Sequence, residues 1–125
     1  FGFVRRGWIE IVPRALFPQL VDYADLPVSE GILVSEVVPG GNAEVAGLRG
    51  GEERRAVRYG RTVIYLGGDI IVSVDDQPVE SIANLYEALE DNRPGDTVEV
   101  EYFRNGRVRR TDVTLSERPE RMQWE

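Results

Sequence analysis

Histidine, cysteine and lysine are absent from the 125 residues. Without His or Cys, a Ser-His-Asp triad, a cysteine nucleophile, an imidazole-ligated metal and a Cys-x-x-Cys pair cannot be assembled within the chain. Without Lys, Schiff-base chemistry and a lysine general base are excluded as well. No catalytic residue, metal site or cofactor is therefore expected here. The lack of Cys leaves the redox compartment open. No apolar run approaches about 18 residues, and no signal-like segment is present. A start at Phe1-Gly2-Phe3-Val4 reads as a domain cut from a longer protein, whose remainder would carry targeting information and any membrane anchor.

What is present suits a single domain. Apolar residues make up 42% of the chain and charged residues 30%, enough apolar side chain for a core and too much for a disordered tail. Fifteen Arg stand against 22 acidic residues, a formal charge of −7. That balance disfavours phosphate backbones and anionic bilayers as partners, so no nucleic acid is expected.

Residues 8–13 carry β-branched and aromatic side chains and read as a short strand stopped by Pro13. Pro18 suits the first turn of a helix with Leu20, Tyr23 and Ala24 on one face. Gly31 to Val38 reads as a strand closed by Pro39-Gly40-Gly41, with Asn42 capping a short helix that stops at Gly47. Residues 49–68, bracketed by glycine pairs, read as an ordered polar hairpin holding five Arg against two Glu. Asp69 to Val74 is a buried strand, followed by a tight turn at Asp75-Asp76-Gln77 and a short strand at Pro78-Val79. Ser81 caps a helix with Ile82, Leu85 and Leu89 on its inner stripe. Strands at 97–104 and 108–115 flank Asn105-Gly106, a strong hairpin signal. The chain is expected to fray from Ser116. The elements make a mostly β, α+β domain of five to six antiparallel strands with two helices covering open edges.

Trp8-Ile9-Glu10-Ile11, Gly31-Ile32-Leu33-Val34, Val38-Pro39-Gly40-Gly41-Asn42-Ala43, Ala46-Gly47-Leu48, Gly67-Gly68-Asp69-Ile70-Ile71, Pro94-Gly95-Asp96 and Arg104-Asn105-Gly106 together resemble the PDZ domain of HtrA/Deg-type serine proteases. The resemblance covers about residues 5–118 and implies a partly open β-sandwich or barrel in the circularly permuted bacterial order. It places a linker from a preceding domain at 1–6, the PDZ domain at 7–116 with its Arg-rich insertion at 49–68, and a tail at 117–125. The implied function is regulatory. A partner's extended C-terminal or unfolded segment adds as a strand beside a helix and is presented to a trypsin-like protease domain in the same parent chain. That parent is implied to be an extracytoplasmic, homo-oligomeric serine endopeptidase, whereas this piece has no enzymatic role.

The same resemblance assigns the carboxylate-binding loop to Gly7, Trp8, Ile9, Glu10 and Ile11, continuing into Val12, with Arg6 assisting. Ile9, Ile11, Leu85 and Leu89 become the pocket walls, or equally ordinary core residues, and Asn84 and Ala88 line the groove. Glu10 departs from the family pattern, which has Gly at this place for close backbone approach to a carboxylate. Two outcomes are open. Either Glu10 points to solvent and changes little, or its charge weakens C-terminal capture and favours internal segments. A like-charge contact at about 4 Å costs on the order of 1 kcal/mol in water. A structural domain with a blocked groove, or a PDZ module of another envelope protein such as a secretion component or intramembrane protease, are the alternatives. The Arg-rich hairpin is expected to be solvated or to contact a neighbouring domain. Asp75 and Asp76 are expected to be turn residues, and Ser35 and Ser73 packing residues.

Overall fold

A computed structural model of the chain describes residues 7–117. In chain order these form β1 (Gly7–Trp8), β2 (Ile11–Ala15), α1 (Pro18–Ala24), β3 (Ile32–Val37), α2 (Asn42–Val45), a single 3-10 turn, β4 (Ala56–Tyr59), β5 (Thr62–Tyr65), β6 (Ile70–Val74), β7 (Gln77–Pro78), α3 (Ile82–Leu89), β8 (Thr97–Arg104), β9 (Arg107–Thr114) and β10 (Ser116–Glu117). The main sheet is antiparallel, in the order β2-β3-β6-β8-β9, with β7 beside β6. Two separate ribbons, β4-β5 and β1-β10, complete the strands. Among the described residues the sheets are open and no barrel closes.

Local chemistry accounts for most elements. Asn105 and Gly106 both adopt positive φ, the geometry of a turn whose twist matches the two strands it joins. Asp75 and Asp76 do the same between β6 and β7, and Asp75 Oδ1 accepts from the Glu99 backbone N–H at 2.7 Å. Ser81 Oγ accepts from the Asn84 backbone N–H at 3.1 Å, capping α3.

Alternation along β3 divides the apolar side chains between two faces. Ile32 and Val34 join Trp8, Ile11, Leu85, Leu89 and Val98 in the larger core. Leu33 joins Leu20, Ile64, Leu66 and Ile70 in a second cluster on the opposite face. Thus α3 covers one face, and α1 with the β4-β5 hairpin covers the other.

Two expectations change. Ser116 and Glu117 do not fray: they pair with Trp8 and Gly7 as β10. Gly41, not Asn42, occupies the N-cap of α2, because the Asn42 side chain is committed elsewhere. The hairpin at 49–68 is ordered, as expected, and its base is held by chemistry that residue patterns do not expose. Buried Asp69 receives two hydrogen bonds from Arg104, at 2.8 and 2.7 Å, and one from the Arg49 backbone N–H at 2.9 Å. Hydrogen bonding to Asp69 raises the Arg104 pKa, burial opposes it, and the carboxylate charge adds to the rise. Ser35 Oγ accepts from the Tyr65 N–H at 2.9 Å, so this serine is a packing and ladder residue. Gly68 lies so close to β3 that a Cβ there would collide with the Val34 carbonyl oxygen.

Candidate functional site

Strand β2 lies at one end of the main sheet, paired on one side only among the described residues, with α3 packed against it. The Glu10 carbonyl accepts from the Val38 N–H, and the Leu16 N–H donates to the Gly31 carbonyl. Even-numbered residues therefore turn their backbone groups toward β3, and Ile11, Pro13 and Ala15 turn theirs to the open edge. Proline is tolerated in a sheet where its missing N–H faces outward, which explains Pro13 in a strand otherwise rich in paired groups. Open edge and helix form the two walls of a groove, the arrangement in which an extended polypeptide can add as a further strand.

The residues assigned from sequence fall into distinct environments. Ile9, Ile11, Leu85, Leu89 and Ala88 are buried in the larger core, forming the floor beneath loop and helix. Trp8 is buried as well and stacks on Tyr86 of α3, ring centroids 5.4 Å apart, fastening loop to helix. Gly7 is buried, and its N–H donates to the Asn92 carbonyl at 3.0 Å. Val12 is half-buried in the strand. Asn84 Oδ1 accepts from the Glu80 N–H at 3.1 Å, so that atom serves the helix entry. Arg6 lies outside the described residues.

Glu10 does not simply point to solvent. Its carboxylate Oε1 accepts from the Asn42 N–H at 3.0 Å, while the Glu10 N–H donates to Asn42 Oδ1 at 2.8 Å. Asn42 Nδ2 donates in turn to the carbonyls of Trp8 at 2.8 Å and Thr114 at 2.9 Å. This reciprocal clasp ties the loop to the start of α2. The Ile11 N–H donates to the Ile9 carbonyl at 2.9 Å. Two of the backbone donors that a bound carboxylate would need are thus engaged inside the chain, and Pro13 supplies none. The groove edge presents chiefly acceptors. Sequence reading singled out Glu10 but missed its partner; a Gly-Gly-Asn run ahead of a short helix reads equally well as a turn and cap.

Asp76, Glu99 and Glu101 bring carboxylate oxygens within 4.8 Å of one another, a grouping made by the pairing of β6 with β8. Arg110 reaches Glu99 at 3.7 Å and Glu101 at 3.4 Å, so the cluster is partly neutralised on an exposed face.

Comparison with known proteins places this geometry. The PDZ domain family matches residues 17–115. The periplasmic pH-dependent serine endoprotease DegQ of Escherichia coli is 30% identical over 115 residues, covering 92% of this chain and 22% of DegQ. The chloroplastic Protease Do-like 1 of Arabidopsis thaliana is 37% identical over 90 residues, covering 72% of this chain and 19% of that protein. The chain thus spans about a fifth of the length of these relatives. Among solved structures, the HtrA-type protease AlgW with a decapeptide aligns with a TM-score of 0.70 at 25% identity, over 94% of this chain and 31% of AlgW. The HtrA3 PDZ domain bound to the phage-derived ligand FGRWV aligns with a TM-score of 0.67 at 25% identity, over 92% of this chain and 89% of that one. An open strand edge beside a helix, on a sheet of this order and with these relatives, leads to one assignment: the chain belongs to the PDZ domain family, in the form carried by HtrA-type serine proteases.

Proposed function

We propose that this domain is a regulatory peptide-binding module of an HtrA-like serine protease, taking extended segments of unfolded polypeptide as an added strand on β2 against α3. The observation that carries this reading is the unpaired outer edge of β2 facing α3. Peptide-bound relatives support it, since AlgW and the HtrA3 PDZ domain are both solved with peptides. The proposed parent places a trypsin-like domain in the same chain, with this domain selecting substrate or activating that protease. The described residues bring no nucleophile and base together, so hydrolysis is assigned to that other domain. An extracytoplasmic parent is proposed from the periplasmic DegQ and DegP-like relatives.

The clasp between Glu10 and Asn42 favours internal segments over free C-termini. Peptide N–H groups would donate to the outward carbonyls of Ile11 and Pro13, while a terminal carboxylate would meet engaged donors and the negative charge of Glu10. The test is an NMR titration of the chain with peptides ending in Val, Leu, Ile, Phe or Ala, each beside its amidated twin. Equal binding of both forms, with shifts confined to residues 7–13 and 82–89, is the expected result. Preference for the free acids by about tenfold, worth about 1.4 kcal/mol, would refute internal recognition while keeping the groove. No binding at millimolar peptide would refute the groove and favour a structural role. Glu10→Gly should shift preference toward the free acids.

A further inference from the structure

A second strand edge stands open beside a second helix, on the opposite face of the main sheet. Among the described residues β4 pairs with β5 alone. Tyr59 and Thr62 are partners across the two-residue loop Gly60-Arg61. In a loop of that length the flanking residues exchange hydrogen bonds, so Tyr59 and Val57 face β5 while Arg58 and Ala56 face outward. The hydrogen bond from the Leu66 N–H to the Arg55 carbonyl, at 3.3 Å, fits the same alternation. The Ala56 N–H closes the 3-10 turn on the Glu53 carbonyl, which leaves the Ala56 C=O and the N–H and C=O of Arg58 on the outward edge, without a partner strand among the described residues.

All four β4 residues, Ala56 to Tyr59, line a cavity of about 490 Å³ whose far wall is α1, with Leu20, Tyr23 and Ile64 among its other lining residues. Four consecutive residues of one strand can line a cavity together where the backbone edge runs along it. Its rim is aromatic and unshielded: Tyr23 is 73% exposed and Tyr59 61%, with the Phe17 and Tyr59 rings 4.7 Å apart. This volume falls in the range of sites that take a few side chains.

Charge selects the occupant. The hairpin region carries Arg54, Arg55, Arg58 and Arg61 against Glu52 and Glu53, on a chain of net charge −7. One of these cations, Arg54, is paired with Glu52 at 2.9 Å. Arg58 lines the cavity itself. We propose that the groove between β4 and α1 is a second strand-addition site, separate from that between β2 and α3. It would take an extended acidic segment of a partner protein whose alternate apolar side chains enter the cavity. Segment backbone would pair with the Ala56 carbonyl and with both backbone groups of Arg58, apolar side chains would pack on Leu20, Tyr23 and Tyr59, and carboxylates would face the hairpin arginines.

The test uses the 125-residue chain, isotope-labelled, with two acetylated and amidated peptides, Glu-Leu-Glu-Phe-Glu-Leu and Lys-Leu-Lys-Phe-Lys-Leu. The acidic peptide is expected to shift the Arg58 amide saturably, to slow its hydrogen exchange, and to bind at least about tenfold more tightly than the basic one. Arg58→Glu should remove that preference, and Arg58→Gln should reduce it if the charge reversal prevents folding. Equal binding of the two peptides, shifts confined to residues 11–15 and 82–89, no shift at all, or concentration-dependent self-association occupying the same amide would each overturn the proposal.

Discussion

The two strand–helix grooves share a geometry and differ in what their backbones offer. At the loop end of β2 the donors are consumed, since Glu10 gives its N–H to Asn42, Ile11 gives its own to Ile9 and Pro13 has none, which leaves only the Ala15 N–H on that edge. At β4 the Ala56 N–H is engaged by the Glu53 carbonyl, but the Ala56 carbonyl and the N–H and C=O of Arg58 remain on the open edge. The floor differs as well. Below β2 lies the larger core, in which Ile11, Leu85 and Leu89 are fixed by close packing, whereas the β4 groove opens over the smaller cluster and is rimmed by exposed tyrosines. An edge strand is an open template for pairing, and these two edges show that its selectivity depends on which donors the rest of the fold has already engaged.

Asp69→Ala should break the comparison most severely. It strands Arg104 in a largely buried position and frees the Arg49 N–H, and removal of one partner from such a pair costs about 3–5 kcal/mol. Chemical denaturation should show a lower midpoint, and hydrogen exchange should show residues 56–65 losing protection before β2 does. A hairpin that kept its protection would mean that Ser35 and the second cluster hold it without Asp69.

Asn42→Ala acts on the other groove. It leaves the Glu10 N–H and the Thr114 carbonyl without their side-chain partner and the Trp8 carbonyl with only the Ser116 hydroxyl, at 3.3 Å, an expected loss of about 1–3 kcal/mol. The Glu10 amide should exchange faster while Ala56 and Arg58 stay as they were. Unchanged exchange at Glu10 would show that the clasp does not hold the loop. Ser81→Ala should have the smallest effect, about 1 kcal/mol, by uncapping α3, and it sharpens the comparison because only the β2 groove has this helix as its wall. A denaturation midpoint equal to that of the parent chain would remove the cap from the account.

Much of this architecture was legible in the chain. The turns at Asn105-Gly106 and Asp75-Asp76 and the Ser81 cap act over a few residues, so their chemistry is written where it operates. The hairpin at 49–68 was likewise announced by its bracketing glycines. Asn42 reads as a cap in the sequence because its partners Trp8, Glu10 and Thr114 lie 34, 32 and 72 positions away, beyond any local pattern. Ser116 and Glu117 looked like a fraying end because their partners are Trp8 and Gly7, at the opposite end of the described chain. Glu10 stood out as a departure from the family, but which group its carboxylate would meet was not written beside it.

By itself, the sequence determined the class of fold and the exclusion of histidine, cysteine and lysine chemistry, because alternation, turn residues and side-chain inventory are local properties. Only the tertiary structure decided which backbone donors remain free on each open edge. A donor's availability depends on what the fold brings within about 3 Å of it: the Asn42 side chain reaches the Glu10 N–H from 32 positions away, whereas the Ile11 and Ala56 donors are taken by carbonyls two and three residues back through local bends of the backbone.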